Sequence, residues 1–410
     1  MGRNSRLVVQ KYGGTSVADH NRIKAVAERV VRYRRKGYRM VVVVSALGDT
    51  TDKLIELANK ITDSPSEREM DMLISTGEQI SVALLAMAIH KLGPEAISFT
   101  GAQVGIITDT SHTKARILKI NTKRIKAELD KGKIVIVAGF QGVTMKHDIT
   151  TLGRGGSNLT AVALAKALGA KFCEMNTDVE GIYTADPRIV PEARKLSRVS
   201  YEEMLELASS GAQVLQPRSI EVAKKFNVPI HVRSSFSDKE GTIISREVKS
   251  MEEIVVSGVT VNRDEAKITI CDVPDKPGVA ARIFNKIAKN NINIDMIIQN
   301  ISRTGYTDIS FTVLVRDLGK TLKIARAISA KIGAEGVTYN DNVAKVSVVG
   351  IGMRSHSGIA AKMFSALARK KINIDMISTS EIKVSCVIGK NNATKAVRAI
   401  HKEFGLGRPR

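Results

Sequence analysis

Residues 7–16 have the sequence Leu7-Val8-Val9-Gln10-Lys11-Tyr12-Gly13-Gly14-Thr15-Ser16. The apolar start predicts a buried strand, and the glycine pair predicts a tight connection to a following helix. Paired glycines let the backbone approach a phosphate, the helix N-terminus offers free N–H groups, and the lysine supplies positive charge. The stretch therefore predicts a strand–loop–helix unit that binds phosphate, although a plain turn would carry the same glycines.

The alternation of strand and helix continues to about residue 235. Short runs of valine and isoleucine are typical of strands buried on both faces, and apolar residues at helical spacing lie between them. The predicted strands are residues 7–10, 40–45, 134–137 and 228–232, and the predicted helices begin near Ile23 and span 69–91 and 160–168. This alternation predicts an α/β domain with a largely parallel sheet covered by helices on both faces.

Further polar stretches follow other predicted strands. A second glycine-rich loop, Gly153-Arg154-Gly155-Gly156-Ser157, opens a helix, and its alternative interpretation is a flexible connection capped by Ser157. Because the carboxyl ends of parallel strands meet at one edge of a sheet, two such loops with basic residues favour an anion site there. The pair Thr177-Asp178 and the stretch 183–188 indicate a nucleotide loop or ordinary turns, and Glu78 indicates either a site residue or a solvated helix position.

An internal repeat follows the polar segment 234–241, which we interpret as the end of the first domain. Residues 292–297 (Ile-Asn-Ile-Asp-Met-Ile) recur identically at 372–377, 80 residues later. Each copy follows a strand-like run, a turn and a helix. The order strand, helix, strand, strand, helix, strand predicts two small α/β units that pack as a pseudo-symmetric pair.

Length and composition limit the protein class. A chain of 410 residues with 43% hydrophobic and 25% charged residues predicts two or three globular domains. No uninterrupted apolar run approaches about 18 residues, so a membrane span is not expected. Three widely spaced cysteines and the lack of an apolar signal core predict reduced thiols and a cytoplasmic location.

The net charge of +22 has two interpretations. A nucleic-acid partner is one, but no zinc-ligand spacing or aromatic–basic RNA pattern accompanies the charge. A basic surface that suits an anionic nucleotide substrate is the other, and the sequence favours it.

Six stretches, in order, resemble the motifs of aspartate kinases. They are residues 11–17 (KYGGTSV), 44–52 (VSALGDTTD), 75–79 (STGEQ), 98–101 (SFTG), 151–157 (TLGRGGS) and 183–188 (YTADPR). The repeated Asn-Ile-Asp units resemble ACT domains, the amino-acid-sensing modules that end this family. The resemblance covers nearly the whole chain and implies a carbamate-kinase-like αβα sandwich over residues 1–240, followed by ferredoxin-like ACT domains at 250–340 and 341–410. The second ACT domain is expected to borrow a strand from about residues 252–262.

The resemblance also implies roles for individual residues. Catalysis would use Lys11 and Asn158. Nucleotide contacts would come from Lys11, Tyr12, Gly13, Gly14, Ser45, Thr177, Asp178, Tyr183, Asp186, Arg188 and Gln213. Aspartate contacts would come from Asp49, Thr50, Thr51, Glu78, Arg154, Gly155, Gly156 and Ser157, with Ser45 close to both ligands. The effectors lysine and threonine would contact Asp275, Gly278, Asn293, Ile294, Asp295, Gln299, Asn373 and Ile374.

The reaction implied by the resemblance joins the γ-phosphate of ATP, with Mg²⁺, to the side-chain carboxylate of L-aspartate. It is the first step towards lysine, threonine and methionine, and the enzyme would be a feedback-regulated homodimer or higher oligomer paired through its ACT domains. The carboxylate nucleophile is already ionised at neutral pH, so the site needs no general base. The protein has only to align it and to neutralise charge on the phosphoryl group.

Several residues depart from the family pattern. Asn158 stands where the family has aspartate, Gln213 where it has lysine, and Gln216 where it has histidine, while residues 174–176 lack a usual tyrosine. Losing one electrostatic contact lowers turnover by about 10²–10³ in studied enzymes. The alternative hypothesis is therefore a weakened paralogue that binds nucleotide or amino acid as a regulatory partner. In the second ACT copy His356-Ser357 replaces Lys276-Pro277, which leaves open a purely structural role for that copy.

Overall fold

The structure, a computed structural model, describes residues 6–212, 214–246, 255–300, 305–354 and 356–407. These residues form two compact units. The first unit contains the described residues of 6–182, 195–208 and 214–246. The second contains residues 183–194, 209–212 and those described from 255 onward. The division differs from the predicted boundaries, because two short segments of the N-terminal half belong to the second unit.

The first unit is built on an eight-stranded, mainly parallel sheet with the order β10-β12-β11-β9-β1-β2-β6-β3. A smaller sheet has the order β5-β4-β7-β8. The strands are β1 (Leu7–Tyr12), β2 (Arg39–Val44), β3 (Ala96–Phe99), β4 (Ile106–Thr108), β5 (Ile117–Ile120), β6 (Ile134–Ala138), β7 (Gln141–Val143), β8 (Ile149–Thr151), β9 (Phe172–Thr177), β10 (Arg198–Ser200), β11 (Ile230–Ser234) and β12 (Thr242–Ser245). The helices before residue 230 are α1 (His20–Arg35), α2 (Thr50–Ile61), α3 (Glu67–Ile74), α4 (Thr76–Lys91), α5 (Lys123–Asp130), α6 (Gly156–Leu168), α7 (Tyr201–Ser209) and α8 (Pro217–Phe226).

Helices cover both faces of the large sheet. Alternate residues of β1, such as Val8 and Tyr12, pack with α1 and α4 in one buried cluster. Helix α6 contacts β1, β2 and β9, and α8 packs against α6. Because successive side chains of a strand point to opposite faces, the other residues of β1, including Lys11, face the layer of α6. The predicted αβα sandwich is confirmed.

The helical stretch Glu67–Lys91, which comprises α3 and α4, is long and apolar enough to cross a membrane, judged by length and composition. Half of its apolar window is buried inside the protein. Val82, Leu85 and Ile89 of this stretch belong to the core beside the large sheet. The buried half accounts for part of the apolar composition, since a helix that supports a sheet needs apolar residues as a membrane span does, while Ile80, Leu84 and Met87 are exposed.

The second unit has a six-stranded sheet with the order β14-β15-β13-β16-β18-β17, and its neighbouring strands are antiparallel. Its elements are β13 (Gly258–Pro274), α9 (Val279–Ala288), β14 (Ile297–Gln299), β15 (Tyr306–Leu314), α10 (Leu318–Ile332), β16 (Gly336–Val349), α11 (Ile359–Arg369), β17 (Met376–Thr379), β18 (Lys383–Gly389) and α12 (Ala393–Glu403).

The two long central strands serve both copies of the repeat. The later part of β13 pairs with β15 and with the start of β16, and its earlier part pairs with the end of β16. Thus Gly258–Asn262 lie beside Lys345–Val349, the strand that carries the second copy. The borrowed strand was placed at about 252–262, and residues 252–254 of that range lie outside the described residues.

The repeat has the same backbone conformation in both copies. Gly278 and Gly358 both adopt left-handed conformations, with φ of 89° and 86°, where α9 and α11 begin. Asn291 and Lys371 are also left-handed, with φ of 57° and 54°. Residues 291–300 and 371–380 follow the same alternation of buried and exposed positions.

Residues 183–194 pack into the second unit because their apolar side chains are buried there. Ala185 and Val190 join a core cluster with Met363 and Ile400. Thr184 accepts a backbone hydrogen bond from Val259 at 2.8 Å, and its hydroxyl lies 3.0 Å from His401 Nε2. Three residues of this short segment are thus fixed by partners that are distant in sequence.

Candidate functional site

Two loops meet at the carboxyl edge of the large sheet. The backbone of Ser45, after β2, donates to the carbonyl of Tyr12 at 3.1 Å, and Gly48 donates to Gly14 at 3.1 Å. A Cβ on Gly14 would stand 2.8 Å from the Gly48 carbonyl oxygen and 3.0 Å from that of Ala46. Glycine is therefore required at position 14 for the loops to touch.

Lys11 lies at the centre of this edge. Its Nζ is 3.2 Å from the position that a Cβ on Gly13 would occupy, so the amino group lies against the glycine loop. Burial lowers the Lys11 pKa to about 8, and the Asp178 carboxylate opposes this only in part. Among the described residues no carboxylate is within salt-bridge distance of the amino group. An incoming anion would supply the missing counter-charge.

Tyr12 and Lys11 have opposite orientations. The Tyr12 side chain is fully buried among α1 and α4, and its hydroxyl donates to Gln10 Oε1 at 3.1 Å. The pleat of β1 causes this, since adjacent residues point to opposite faces. The Tyr12 side chain therefore cannot contact a nucleotide at the edge, which corrects the sequence interpretation and leaves only its backbone for that role.

The loop after β2 leads into α2 and carries Asp49, Thr50 and Thr51. Thr50 Oγ1 donates to the Leu47 carbonyl at 2.6 Å. Asp49 is exposed and forms a 3.1 Å ion pair with Lys53, one helical turn away. These side chains surround the start of α2 beside the glycine loop.

Glu78, in the first turn of α4, is almost completely buried, with 3% of the residue exposed. Its Oε1 accepts from the Ala46 backbone at 3.2 Å, whereas its buried Oε2 has no hydrogen-bond partner. Burial raises the Glu78 pKa to about 8. The alternative of a solvated helix position is wrong, and an unpartnered buried oxygen indicates a place for a ligand's hydrogen-bond donor.

The second glycine-rich loop connects β8 to α6. Gly153 and Gly155 have φ of 79° and 70°, which turn the chain so that Arg154 projects outward. The Arg154 side chain is 90% exposed, and Asp52 is its ion-pair partner at 4.0 Å. The other members of the loop, Gly156, Ser157 and Asn158, form the buried first turn of α6.

The remaining nucleotide residues are divided between the units. Thr177 and Asp178 end β9 in the first unit, where Thr177 Oγ1 donates to Asp178 at 2.9 Å. Tyr183, Asp186 and Arg188 belong to the second unit. Arg188 pairs with Asp186 at 2.8 Å, and this hydrogen bonding lowers the Asp186 pKa. The first unit thus contains Lys11, Glu78, Arg154 and Asp178. The three predicted nucleotide residues of the stretch 183–188 belong to the second unit instead.

Two of the unusual residues have structural partners. Asn176, at the end of β9, is fully buried, and its Oδ1 accepts from Arg29 Nη1 at 3.1 Å. Gln216 packs over Gly155, where its Cβ is 2.5 Å from the position of a Cβ on that glycine. Gln213 lies outside the described residues.

The predicted effector residues surround the turns of the repeat. Asp275 donates its backbone N–H to Gly305 at 2.9 Å, and Gly278 begins α9. Asp295 pairs with Lys345, a buried lysine that also pairs with the buried Glu265 at 3.0 Å. The other predicted positions, Asn293, Ile294, Gln299, Asn373 and Ile374, lie at the entries to β14 and β17 and in those strands, where the asparagines and Gln299 are exposed.

Sequence reasoning missed several buried charged residues, among them Lys345 and Asp71. Lys345 gave no signal in the sequence, because a single lysine within an apolar strand pattern does not indicate that its side chain is buried. Asp71 lies in α3 and is fully buried, with three hydrogen-bonding residues around its carboxylate. An acidic residue flanked by Met70 and Met72 in an apolar helical pattern was the only available signal.

Family matches along the chain follow the same order as the two units of the structure. Residues 6–234 match the amino acid kinase family, and residues 267–333 and 346–404 each match an ACT domain. The chain is 54% identical to an aspartokinase of Mycolicibacterium smegmatis over 407 residues, which cover 98% of this chain and 96% of the relative. It is 53% identical to an aspartokinase of Pseudomonas aeruginosa over 405 residues, 98% of each chain.

A solved structure gives the same architecture. The structure of E. coli aspartokinase III in complex with aspartate and ADP matches with a TM-score of 0.82 and 25% identity over 97% of this chain and 99% of the other. The resemblance stated from the six motifs is confirmed. Because the similarity extends through the kinase and both ACT segments, the chain belongs to the aspartokinase family.

Proposed function

We infer that this chain is an aspartate kinase, which transfers the γ-phosphoryl group of ATP to the β-carboxylate of L-aspartate and forms 4-phospho-L-aspartate. The main structural support is that the Lys11 amino group lies against Gly13 at the carboxyl edge of the sheet. The chain is also 54% identical to an aspartokinase. The E. coli relative that shares the fold binds aspartate and ADP. The product begins the synthesis of lysine, threonine and methionine.

Lys11 would stabilise negative charge on the transferring phosphoryl group. Its pKa of about 8 means that burial already opposes the ammonium form. Bound phosphates would raise that pKa again, because an anion nearby favours the charged form. Lys11 would therefore be fully protonated when ATP is bound, at the place where charge develops.

Glu78 and Arg154 would hold aspartate through its opposite charges. The ammonium group of aspartate matches the unpartnered Oε2 of Glu78, and it would stabilise the carboxylate form of that side chain. A carboxylate of aspartate matches the exposed guanidinium of Arg154, which can bind it with two parallel hydrogen bonds. The reaction then requires only that the ionised β-carboxylate of aspartate be aligned with the γ-phosphate of ATP.

Mg²⁺ would enter with ATP as part of the substrate. The described residues contain no group of three or more metal-ligating side chains. Kinases hold Mg²⁺ through one or two carboxylates together with substrate phosphates and water. Asp178, which interacts electrostatically with Lys11, is the carboxylate of the site that we propose for this role.

The second unit would sense amino-acid effectors. We propose that lysine or threonine binds at the turns before α9 and α11, beside Asp275, Gly278 and the repeated Asn-Ile-Asp runs. We also propose that the chain forms a homodimer through its ACT domains and works in the cytoplasm. The edge strands β14 and β17, with exposed Ile297 and Ile377, support pairing with another copy.

The test is ATP turnover with L-aspartate and Mg²⁺ in a coupled ADP assay, with lysine and threonine added singly and together. We expect aspartate-dependent turnover of about 1 s⁻¹ or more in the natural protein. Asn158→Asp and Gln213→Lys should each change it by less than about tenfold. No turnover in the natural protein, with activity restored in the double variant, would instead establish the weakened paralogue.

A further inference from the structure

Asp71 is a buried carboxylate beside the second glycine-rich loop, residues 153–157, which carries Arg154 and is called the arginine loop below. It lies in α3, and none of it is exposed to solvent. A buried carboxylate is costly unless hydrogen bonds satisfy it, so its partners reveal what it stabilises. Thr151 Oγ1 donates to its Oδ1 at 2.5 Å, the Thr113 backbone N–H donates to Oδ2 at 3.0 Å, and His112 Nδ1 lies 2.8 Å from Oδ2.

These partners lie on either side of the loop that presents Arg154. Thr151 is the last residue of β8 and stands three positions before Arg154. Thr113 belongs to the turn between β4 and β5, and its carbonyl oxygen is 3.1 Å from the position of a Cβ on Gly153. Asp71 therefore binds both the strand that enters the arginine loop and the turn that packs against it.

The turn at Thr113 is itself in an unfavourable conformation. Its φ of 62° is left-handed, which β-branched residues rarely adopt. Such a conformation persists only where its surroundings hold it in place. The Asp71 carboxylate does so by accepting the Thr113 N–H, while the Ala115 backbone donates to the Thr151 carbonyl at 2.9 Å.

We propose that Asp71 is a positioning residue for aspartate binding, which acts through Thr151 and Thr113 to fix the loop that carries Arg154. The proposal rests on the aspartate role of Arg154 in the proposed function. The Arg154 side chain is long and exposed, and its ion pair with the exposed Asp52 spans 4.0 Å, so its placement depends mainly on the backbone of its loop. The Asp71 carboxylate attaches that backbone at Thr151 and Thr113, beside Arg218, which donates to the Leu152 carbonyl at 2.9 Å and to the Ala115 carbonyl at 2.8 Å.

The test removes one hydroxyl without changing the shape of the side chain. In the full-length protein, Thr151→Val should raise the KM for aspartate by about tenfold, as expected for a hydrogen bond to a charged group. The kcat and the KM for ATP should stay within about twofold, and Thr151→Ser, which keeps the hydroxyl, should behave as the natural protein. A rise in both KM values, or a serine variant as impaired as the valine variant, would overturn the proposal.

Thr150→Val is the matched control. Thr150 is equally buried in the same strand, but its hydroxyl pairs with Thr108 Oγ1 at 2.6 Å instead of Asp71. We expect it to lower the melting temperature as much as Thr151→Val while the KM for aspartate stays within about twofold. Equal KM effects of the two variants would show a general loss of stability and reject the positioning role. Thr151→Ala gives the same comparison if valine does not pack.

A double-variant cycle separates this proposal from the site assignment. Arg154→Ala should raise the KM for aspartate strongly, and Thr151→Val should then add less than about twofold, because it acts through Arg154. A further tenfold rise would overturn the Asp71 proposal and leave the Arg154 assignment intact. An unchanged KM in Arg154→Ala alone would overturn that assignment and, with it, the proposal.

Discussion

The amino group of Lys11 lies against Gly13, 3.2 Å from where a Cβ atom would stand. Any other residue at position 13 would press on the ammonium group at the place where a phosphate must approach. Burial of this amino group lowers the Lys11 pKa to about 8. It also makes the site sensitive to pH close to neutrality.

Lys11→Met should lower kcat by about 10²–10³, because it removes one electrostatic contact to the phosphoryl group. In the natural protein, kcat/KM for ATP should fall as pH rises through about 8, since neutral Lys11 no longer attracts phosphate. Lys11→Arg should lack this alkaline fall, because guanidinium stays charged. Initial rates between pH 6.5 and 9.5 test this, and an identical fall in the arginine variant would exclude Lys11 as its origin.

Glu78→Gln should change the pH dependence of aspartate use. The Glu78 carboxyl, with its pKa raised to about 8 by burial, is neutral at lower pH and cannot pair with the ammonium of aspartate. In the natural protein, kcat/KM for aspartate should therefore rise towards pH 8. The glutamine variant should give a flat profile, about tenfold lower at pH 8.5. A glutamine variant that keeps the rise would assign it to another group.

The same pKa shift affects folding. The folded-state pKa of Glu78 is above its unfolded value near 4.5, so its contribution to stability is fully present below pH 4.5 and is lost as pH rises through about 8. Glu78→Gln should gain stability relative to the natural protein between pH 5 and pH 8.5. Urea unfolding midpoints of both proteins at the two pH values measure this. A constant difference would show that Glu78 does not titrate in this range.

Lys345→Met should destabilise the second unit by about 3–5 kcal/mol, because it leaves the buried Glu265 without its counter-charge. Burial alone would lower the Lys345 pKa, but the charges of Glu265 and Asp295 raise it. Lys331→Met, at an exposed helix position, should change stability by less than about 0.5 kcal/mol. Adding Glu265→Leu to Lys345→Met should recover most of the loss. Denaturant unfolding followed by circular dichroism is the measurement, and no recovery would contradict the charge explanation.

Tyr12→Phe tests the orientation of β1. The phenol hydroxyl donates to Gln10 within the core, so its removal should cost about 1 kcal/mol of stability. The KM for ATP should stay within about twofold, because only the backbone of Tyr12 can reach the nucleotide. A KM for ATP raised tenfold, with unchanged stability, would place the hydroxyl at the site instead.

Much of the fold could be predicted from local patterns. The valine run of β2 and the repeated Asn-Ile-Asp stretch gave the strands and the paired ACT units, because burial on a sheet leaves a short-range signature. The late strand begins at Ile230 rather than 228, since Pro229 lacks the N–H that a paired strand uses. The long helical pattern over 69–91 is divided at Ser75 into α3 and α4.

The site was less predictable, because it depends on contacts between distant segments. The glycine loops allowed Lys11 and Arg154 to be predicted. Nothing near Glu78 in the sequence indicates that the Ala46 backbone donates a hydrogen bond to its carboxylate. Asp71 depends on Thr113 and Thr151, which lie 42 and 80 residues away. The position of residues 183–194 in the second unit follows from Ala185 and Val190, whose partners come more than 60 residues later.

The shared strands β13 and β16 also set limits on engineering. A segment that ended near residue 340 would leave Gly258–Asn262 without the neighbours they have in Lys345–Val349, and a segment that began there would lose the strand that completes its sheet. Neither sensory module is therefore a transferable part. A chimera designed to exchange effector response between relatives must take residues 258–403 together with 183–194, which pack into the same unit, and both copies must come from the same parent.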